Sequence, residues 1–168
     1  MMEGLRWTSV PTPLGPFVIV GHAKGIICSS FVDDVDPYLD KIENELGTGA
    51  VPDDRVLSAA RREIEGYFAR SLRRFVSPID PVLVGGAFAK KVIDAARTLP
   101  YATMATYGDV AAKAGSSRAW RAAGTAMRNC PFELFVPCHR VVPAGPGFGA
   151  YGGHPERREF LLRLEGAI

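Results

Sequence analysis

The sequence lacks long apolar stretches and is poor in cysteine and histidine. Nowhere do 18 apolar residues follow one another, which excludes a membrane-spanning helix. Because the N-terminal residues contain no basic region followed by an apolar one, we expect no secretory signal and a cytoplasmic protein. The 3 cysteines are odd in number and far apart, which excludes a disulfide framework and a paired-cysteine zinc site. The 3 histidines are scattered as well, so no metal or other cofactor is predicted.

Composition and charge are typical of a globular protein with one basic segment. Of the 168 residues, 47% are hydrophobic and 23% are charged, and the length suits one modest domain or two small ones. The net charge is only +2, but residues 113–163 contain eight Lys or Arg against three Glu. This asymmetry favours a polyanion-binding surface in that segment, although solvated surface arginines explain it equally well on charge alone.

Apolar and alternating runs in the first half predict an antiparallel sheet accompanied by helices. An acidic amphipathic helix is predicted over 33–46, and Asp53 or Asp54 is expected to cap a second, longer helix. Turns rich in proline and glycine separate the strands. The predicted strands cover residues 6–9, 17–20 and 26–32.

A segment rich in proline and glycine, 73–87, predicts a linker between two lobes. We therefore expect a small N-terminal α/β domain over 1–82 and a mostly helical C-terminal domain over 83–168. The predicted fold class is α+β: an antiparallel-sheet lobe with helices, followed by a helical lobe that contains a helix-turn-helix.

Two short helices joined by a Gly-Ser-Ser turn predict that helix-turn-helix. Thr106 is expected to cap the first helix, with Asp109 completing an approximate capping box. Gly115 would end it, and one of the two following serines would cap the second helix, from Arg118 to about Arg128. The other elements predicted here are helices over 88–99 and 156–164 and a buried, strand-like or extended stretch over 132–142.

One cysteine has neighbours that suit a nucleophile. Cys138 is followed directly by His139 and Arg140, and positive neighbours lower the pKa of a thiol from its usual value near 8.5. Pro137 fixes the backbone before it, so the chain leaves its preceding segment at a defined angle. A core cysteine beside an incidental His-Arg pair is the alternative, and these residues alone leave it open.

The surrounding motifs resemble the O6-alkylguanine-DNA alkyltransferases, the methylated-DNA–protein-cysteine methyltransferases. The letters PCHR are followed by VV, a glycine-rich loop with Tyr-Gly-Gly, and a helix that ends in Leu-Glu-Gly. The segments TYGDVA and RAWRAAGTAMR lie upstream, as they do in the family, and the likeness runs from about Phe88 to Gly166. It implies DNA repair by direct, stoichiometric transfer of an alkyl group from O6 of guanine to the protein's own cysteine.

The resemblance assigns roles residue by residue. Cys138 would be the alkyl acceptor, His139 would help to remove its proton through a water, and Glu165 would fix the imidazole tautomer. The thioether product would not be hydrolysed, so each molecule would react once, as a suicide methyltransferase. The guanine pocket would include Val141, Tyr151 and Gly152.

The implied partner is double-stranded DNA containing O6-alkylguanine, bound in the minor groove by a monomer. A buried sulfur cannot reach a base inside the stacked duplex, so the target nucleotide must be flipped out. Arg121 would replace the extruded base, Tyr107 would contact the flipped nucleotide, and Arg128 is expected at a phosphate. The small residues of the second helix suit a narrow groove, and tight packing against a neighbouring helix explains them too.

The sequence departs from the family pattern at the hinge before the active-site segment. An asparagine usually precedes the proline that corresponds to Pro131, but Cys130 occupies that position. Asn129 lies one residue earlier, and we predict that it takes the hinge role.

Three other functions compete with alkyl transfer. An alkyltransferase-like lesion binder would lack the reactive cysteine, so the presence of Cys138 argues against it. A helix-turn-helix regulator would have no use for the PCHR segment, and a cysteine hydrolase would turn over a small substrate.

Overall fold

The computed structural model describes residues 4–168 and divides them into two compact units. The first unit extends to Leu83 and also includes Pro131–Phe135, whereas the second comprises Val84–Cys130 and Val136–Ile168. The boundary at Leu83 lies beside the expected one. The difference is Pro131–Phe135, which the sequence analysis assigned to the C-terminal domain.

The first unit is built on a four-stranded sheet with the order β3-β2-β1-β4. β1, β2 and β3 form the predicted antiparallel meander, and each is longer than expected or shifted by a residue. β4 pairs parallel to β1 and was not predicted, because three residues ending in proline give no recognisable strand pattern. The strands are β1 (Leu5–Thr12), β2 (Gly15–His22), β3 (Gly25–Phe31) and β4 (Ala50–Pro52).

Helices α1 (Val35–Leu46) and α2 (Ser58–Phe68) accompany this sheet. α1 begins two residues after its predicted start, because Asp34 caps it: the Asp34 side chain accepts a hydrogen bond from the backbone of Asp36. The expected capping of α2 by Asp53 or Asp54 is wrong. Asp53 instead accepts from the backbone N–H groups of the turn before the helix, and Asp54 accepts from the Thr8 hydroxyl.

Residues 131–135 belong to the first unit because they continue the pairing at the β3 edge. Ser29 N–H donates to the Pro131 carbonyl at 2.8 Å, and Glu133 N–H donates back to the Ser29 carbonyl at 3.3 Å. The Glu133 carboxylate also accepts from the Ser30 hydroxyl and from the Phe31 N–H, both at 3.1 Å. Long-range pairing of this kind leaves no trace in local sequence pattern.

The second unit is mostly helical, and the α+β class is confirmed. Its helices are α3 (Ala87–Arg97), α4 (Tyr107–Lys113), α5 (Trp120–Arg128) and α6 (Pro155–Glu165). The capping box of Thr106 and Asp109 at the start of α4 is present as predicted. The serine cap of α5 is wrong: the helix begins later, at Trp120, with Ala119 as its cap residue. Ser116 contributes only its backbone carbonyl, which accepts from Ala119 N–H.

The predicted strand-like stretch over 132–142 is buried but mostly not a strand. It contains a turn of 3-10 helix, Cys138–Arg140, and a two-residue strand, β6 (Val141–Val142). β6 pairs in parallel with β5 (Ala105–Thr106), which directly precedes α4.

Two further observations concern residues 4–168 only. None of the helices in this range has both the length and the apolar character that crossing a membrane requires. Nor do three or more His, Cys, Asp or Glu side chains of this range gather in a group that could hold a metal ion.

Candidate active site

Cys138 lies at the start of the 3-10 turn that follows Pro137. The proline has a φ of −78°, and its carbonyl accepts a hydrogen bond from the Arg140 N–H that closes the turn. The thiol is within 3.2 Å of the Val136 carbonyl, which it can use as an acceptor. Only 6% of Cys138 is exposed. The residue is therefore almost completely buried.

The residue after the cysteine is joined to the end of α6. His139 is fully buried, and its Nε2 lies 2.6 Å from Oε1 of Glu165, the last residue of that helix. The Arg140 guanidinium binds both oxygens of the same carboxylate, at 2.9 and 3.0 Å. Ala102 N–H adds a fourth hydrogen bond, at 3.1 Å. The carboxylate is thus held from several sides by charged and neutral donors.

Burial and these partners set the protonation states. Burial alone would raise the pKa of Glu165, but hydrogen bonds from His139 and Arg140 outweigh it and hold the pKa at about 2. Burial lowers the pKa of His139, against the opposing effect of Glu165, so the imidazole is neutral at pH 7. Because Nε2 faces a carboxylate, the ring proton lies on Nε2, and Nδ1 carries the lone pair.

This arrangement corrects one step of the sequence argument. His139 and Arg140 were treated as positive neighbours that lower the thiol pKa. In the structure the imidazole is neutral, and the Arg140 guanidinium is paired with Glu165 and with the Leu99 carbonyl, at 2.7 Å. Neither residue therefore presents an uncompensated positive charge to the thiol.

A residue that the sequence analysis missed connects the cysteine turn to the glycine-rich loop. Arg158 is buried, and its guanidinium donates to the Phe148 carbonyl and, at 3.5 Å, to the Cys138 carbonyl. The same group lies over the Tyr151 ring, 4.7 Å from its centroid. At Gly149, with φ +77°, an added Cβ would come within 3.1 Å of this guanidinium. A glycine is therefore needed where the loop passes Arg158.

The signal for Arg158 was present in the spacing of α6. The buried face of this helix carries Arg158, Leu161, Leu162 and Glu165. These positions follow the i, i+3, i+4, i+7 pattern of a helix face that packs on a core. Charged residues at both ends of such a face are unusual, and here each end binds the cysteine segment.

The pocket residues inferred from the resemblance lie in two segments, one directly after the cysteine turn and one in the glycine-rich loop. Val141 is fully buried in β6, directly after the cysteine turn. Tyr151 is half-buried with a left-handed φ of 44°, and Gly152, at 62°, continues the same turn. A left-handed tyrosine carries strain of about 1 kcal/mol or more, and the stacked Arg158 is one contact that holds it there.

The β5–β6 pair brings the helix-turn-helix to the cysteine segment. Ala105 pairs with Val141 and Thr106 with Val142, which places the first residue of α4, Tyr107, beside the segment that follows the nucleophile. The Tyr107 ring lies against α5 at Gly124, where an added Cβ would be 3.8 Å from the ring.

The two faces of α5 differ in side-chain size and exposure. Ala123, Ala126 and Met127 are buried, so tight packing explains part of the small-residue content. The other face exposes Arg121, Ala122, Thr125 and Arg128. Arg121 and Arg128 are therefore exposed to solvent with small exposed side chains between them. Asn129 caps the C-terminus of α5 and is exposed, and its hinge role stays a prediction.

Comparisons with known proteins cover nearly the whole chain. Residues 87–167 match the family described as 6-O-methylguanine DNA methyltransferase, DNA binding domain, and residues 5–81 match its ribonuclease-like domain. A methylated-DNA–protein-cysteine methyltransferase of Methanosarcina acetivorans is 33% identical over 156 residues, which is 93% of this chain and 95% of that protein. One of Mycobacterium tuberculosis is 32% identical over 161 residues, covering 96% and 92%.

Solved structures agree with this relationship. The O6-methylguanine methyltransferase of Mycobacterium tuberculosis superimposes with a TM-score of 0.80 at 30% identity, covering 96% of this chain and 92% of that one. The same organism's protein in complex with DNA gives a TM-score of 0.80 at 30% identity, over 95% and 92%. This chain belongs to the family of the methylated-DNA–protein-cysteine methyltransferases.

Proposed function

We propose that this protein repairs DNA by moving the alkyl group of O6-alkylguanine, methyl above all, onto Sγ of Cys138. The observation that carries the proposal is the 2.6 Å contact between buried His139 and Glu165, directly behind the cysteine turn. A core cysteine has no need of such a pair. Family membership supports the same reaction.

The proton of the thiol leaves through the imidazole. Neutral His139 takes it on Nδ1 by way of a water, and the Glu165 carboxylate stabilises the imidazolium that forms. Because Glu165 keeps its charge down to about pH 2, it is available as that counter-charge throughout the physiological range. The relay formed by His139 and Glu165 supplies a thiolate when the substrate is present.

The transfer is one displacement at the alkyl carbon. A bond forms between Sγ and that carbon, the bond from the carbon to O6 breaks, and its electron pair stays with guanine. The base then takes up a proton, so the thiol proton is in effect exchanged for the alkyl group. The resulting thioether has no acyl carbon for water to attack, and each protein molecule reacts once.

The lesion must leave the duplex to reach the sulfur. With 6% of Cys138 exposed, a base that remains stacked cannot be attacked, so we propose that the nucleotide is flipped out. Arg121 on the exposed face of α5 would replace it in the stack, and Arg128 would contact a phosphate. The related Mycobacterium tuberculosis structure in complex with DNA supports docking of this helix-turn-helix on a duplex.

The flipped base would enter between the start of α4 and the glycine-rich loop. Tyr107 would contact the nucleotide, Val141 would offer backbone groups to the guanine edge, and Tyr151 with Gly152 would form the facing wall. Arg158 would act as a positioning residue, because it holds both that loop and the Cys138 carbonyl. A change there should alter the reaction more than the binding of DNA.

The reaction requires only one chain, and we propose that a cytoplasmic monomer carries it out. Cys138, His139 and Glu165 come from one unit of one chain, so no second copy is needed to complete the relay. Sedimentation with and without duplex DNA would show a single protein per lesion.

Mass spectrometry of the intact protein tests the proposed function. After mixing with duplex containing O6-methylguanine, the protein should gain the mass of one CH2, mapped to Cys138. Cys138→Ala should gain nothing, whereas the matched control Cys130→Ala should react like the wild type. Binding of the lesion without a gain in mass would indicate a lesion binder. Binding that does not depend on the lesion would indicate a regulator, and repeated turnover of a small substrate would indicate a hydrolase.

A further inference from the structure

The first residue of α5 is a large aromatic side chain that remains in water. Trp120 is 51% exposed on a helix whose other exposed residues are mostly small or basic. The guanidinium of its neighbour Arg121 lies over the indole, 5.0 Å from the ring centroid. An indole and a guanidinium in this arrangement attract each other through the ring's negative face.

The position of this tryptophan conflicts with a helix that is slim along its whole length. Ala122 and Thr125 have small side chains in the middle of the exposed face, but Trp120, at the beginning of the helix, has one of the bulkiest side chains. A helix that enters a groove can carry such a side chain at its leading end if the ring itself contacts nucleic acid. Proteins that bind the minor groove often insert apolar wedges between base steps.

Charge around the indole complements a polyanion. Arg118 lies just before the helix and Arg121 just after the tryptophan, and both are exposed. The sequence from 113 to 163 has the excess of positive charge noted above. An exposed aromatic ring between basic side chains is typical of surfaces that bind unstacked nucleotides, because every base has a face on which a ring can stack.

We propose that Trp120 is a second DNA-contacting residue that acts together with Arg121. Before binding, the indole holds the guanidinium in the stacked position seen here. On the duplex, Arg121 enters the space of the extruded base and the indole packs against the neighbouring nucleotides. This inference rests on the proposed function and names a further contact for the same DNA surface.

The chain is well suited to a direct optical test, since it has 2 tryptophans. Trp7 lies on β1 of the first unit, so a Trp7→Phe variant reports on Trp120 alone. Adding duplex DNA, with or without O6-methylguanine, should change this emission and reduce its quenching by acrylamide. The matched control is Trp120→Phe, which retains Trp7 and should show little change.

Affinity provides the second readout. Trp120→Ala should weaken duplex binding about tenfold, within the range that stacking side chains contribute to nucleic-acid binding. Trp120→Phe, which keeps a ring, should recover most of that loss. Val76→Ala, which removes an exposed apolar side chain from the first unit, should bind like the wild type.

The outcomes separate this inference from the function on which it rests. If the wild type gains the alkyl mass while Trp120→Ala, folded by circular dichroism, binds duplex as tightly as wild type, the tryptophan proposal is wrong and alkyl transfer stands. Unchanged acrylamide quenching at saturating duplex would also overturn it. If the wild type neither binds the lesion duplex nor gains mass, the proposed function itself has failed.

Discussion

Two buried cysteines in this molecule have opposite surroundings. Cys28 lies on β3 in an apolar cluster with Val18, Val20 and Leu39, and burial raises its pKa to about 11, although a hydrogen bond with Tyr38 acts against the shift. Cys138 is almost as sheltered, yet the next residue begins a buried chain of imidazole, carboxylate and guanidinium. The difference teaches that burial alone keeps a thiol protonated and inert. A reactive cysteine needs a built-in path for its proton.

The largest expected effect comes from replacing each of the two cysteines by alanine. Cys138→Ala should abolish transfer of methyl from O6-methylguanine duplex, because the proposed acceptor sulfur is gone. Cys28→Ala should react at the wild-type rate and lose only about 1 to 2 kcal/mol of stability, from lost packing. Single-turnover assays with labelled duplex measure the transfer rate, and urea unfolding measures the stability. A methylated Cys28 in the Cys138 variant would contradict the comparison.

The next largest effect should follow from weakening the relay behind Cys138. In Glu165→Gln the carboxylate that stabilises the imidazolium is gone, so we expect the transfer rate to fall about 100-fold or more. Arg140 loses its charged partner as well, so the free energy of unfolding should fall by about 3 to 5 kcal/mol. The matched control is Glu159→Gln on the same helix, whose exposed carboxylate pairs only with Arg163. Glu159→Gln should change neither the transfer rate nor the free energy of unfolding appreciably. Losses in Glu159→Gln as large as those in Glu165→Gln would refute the assignment.

A smaller effect is expected at Arg158. Arg158→Lys keeps the charge but cannot hold the Phe148 and Cys138 carbonyls and the Tyr151 ring together, so the transfer rate should fall about tenfold. Affinity for duplex should stay near the wild-type value, since this side chain is buried. Arg163→Lys, an exposed position on the same helix, serves as control. A loss of affinity with an unchanged rate would show that Arg158 belongs to the DNA surface instead.

The smallest expected effect is the change of stability with pH. The pKa of Glu165 is lowered to about 2, so its contribution to stability is present above its usual value near 4.5 and is lost as the pH falls toward 2. The pKa of His139 is also lowered, so the unfolded state binds its proton first and stability already declines below about pH 6.5.

Cys28 should act at the opposite end of the scale. Its raised pKa means that the unfolded thiol ionises before the folded one, so this contribution is present below about pH 9 and is lost as the pH rises toward 11. Urea unfolding from pH 3 to 11 should show both declines. Cys28→Ala should reduce only the alkaline one, and a reduced acid decline in that variant would contradict the assignment.

The parts of the fold that the sequence predicted are those with local causes. The capping box at Thr106, the acidic helix α1 and the antiparallel meander depend on residues within a few positions of one another. The start of α5 was wrong because serines after Gly115 are good caps in isolation, while the chain forms one further turn before the helix. β4 and the pairing of residues 131–135 depend on distant partners that no local pattern reveals.

The same distinction applies to the candidate site. The cysteine, the histidine and the terminal glutamate could be named because the resemblance assigns them, and the structure brings His139 and Glu165 together. Arg158 was missed because it lies in a basic segment, although its spacing from the buried residues of α6 was a signal that could have found it. The neutral state of His139 also depends on burial, which the sequence does not state.

The short ladder between β5 and β6 has a consequence for how the protein would search DNA. Two residue pairs join β5, which directly precedes the helix-turn-helix, to β6, which directly follows the cysteine turn. The helix-turn-helix proposed to bind DNA and the sulfur proposed to react therefore belong to segments joined by paired backbone. Docking of the helix-turn-helix on the double helix would at the same time orient the thiol, so a scanning molecule would need no separate step to bring the sulfur toward each nucleotide that it flips out.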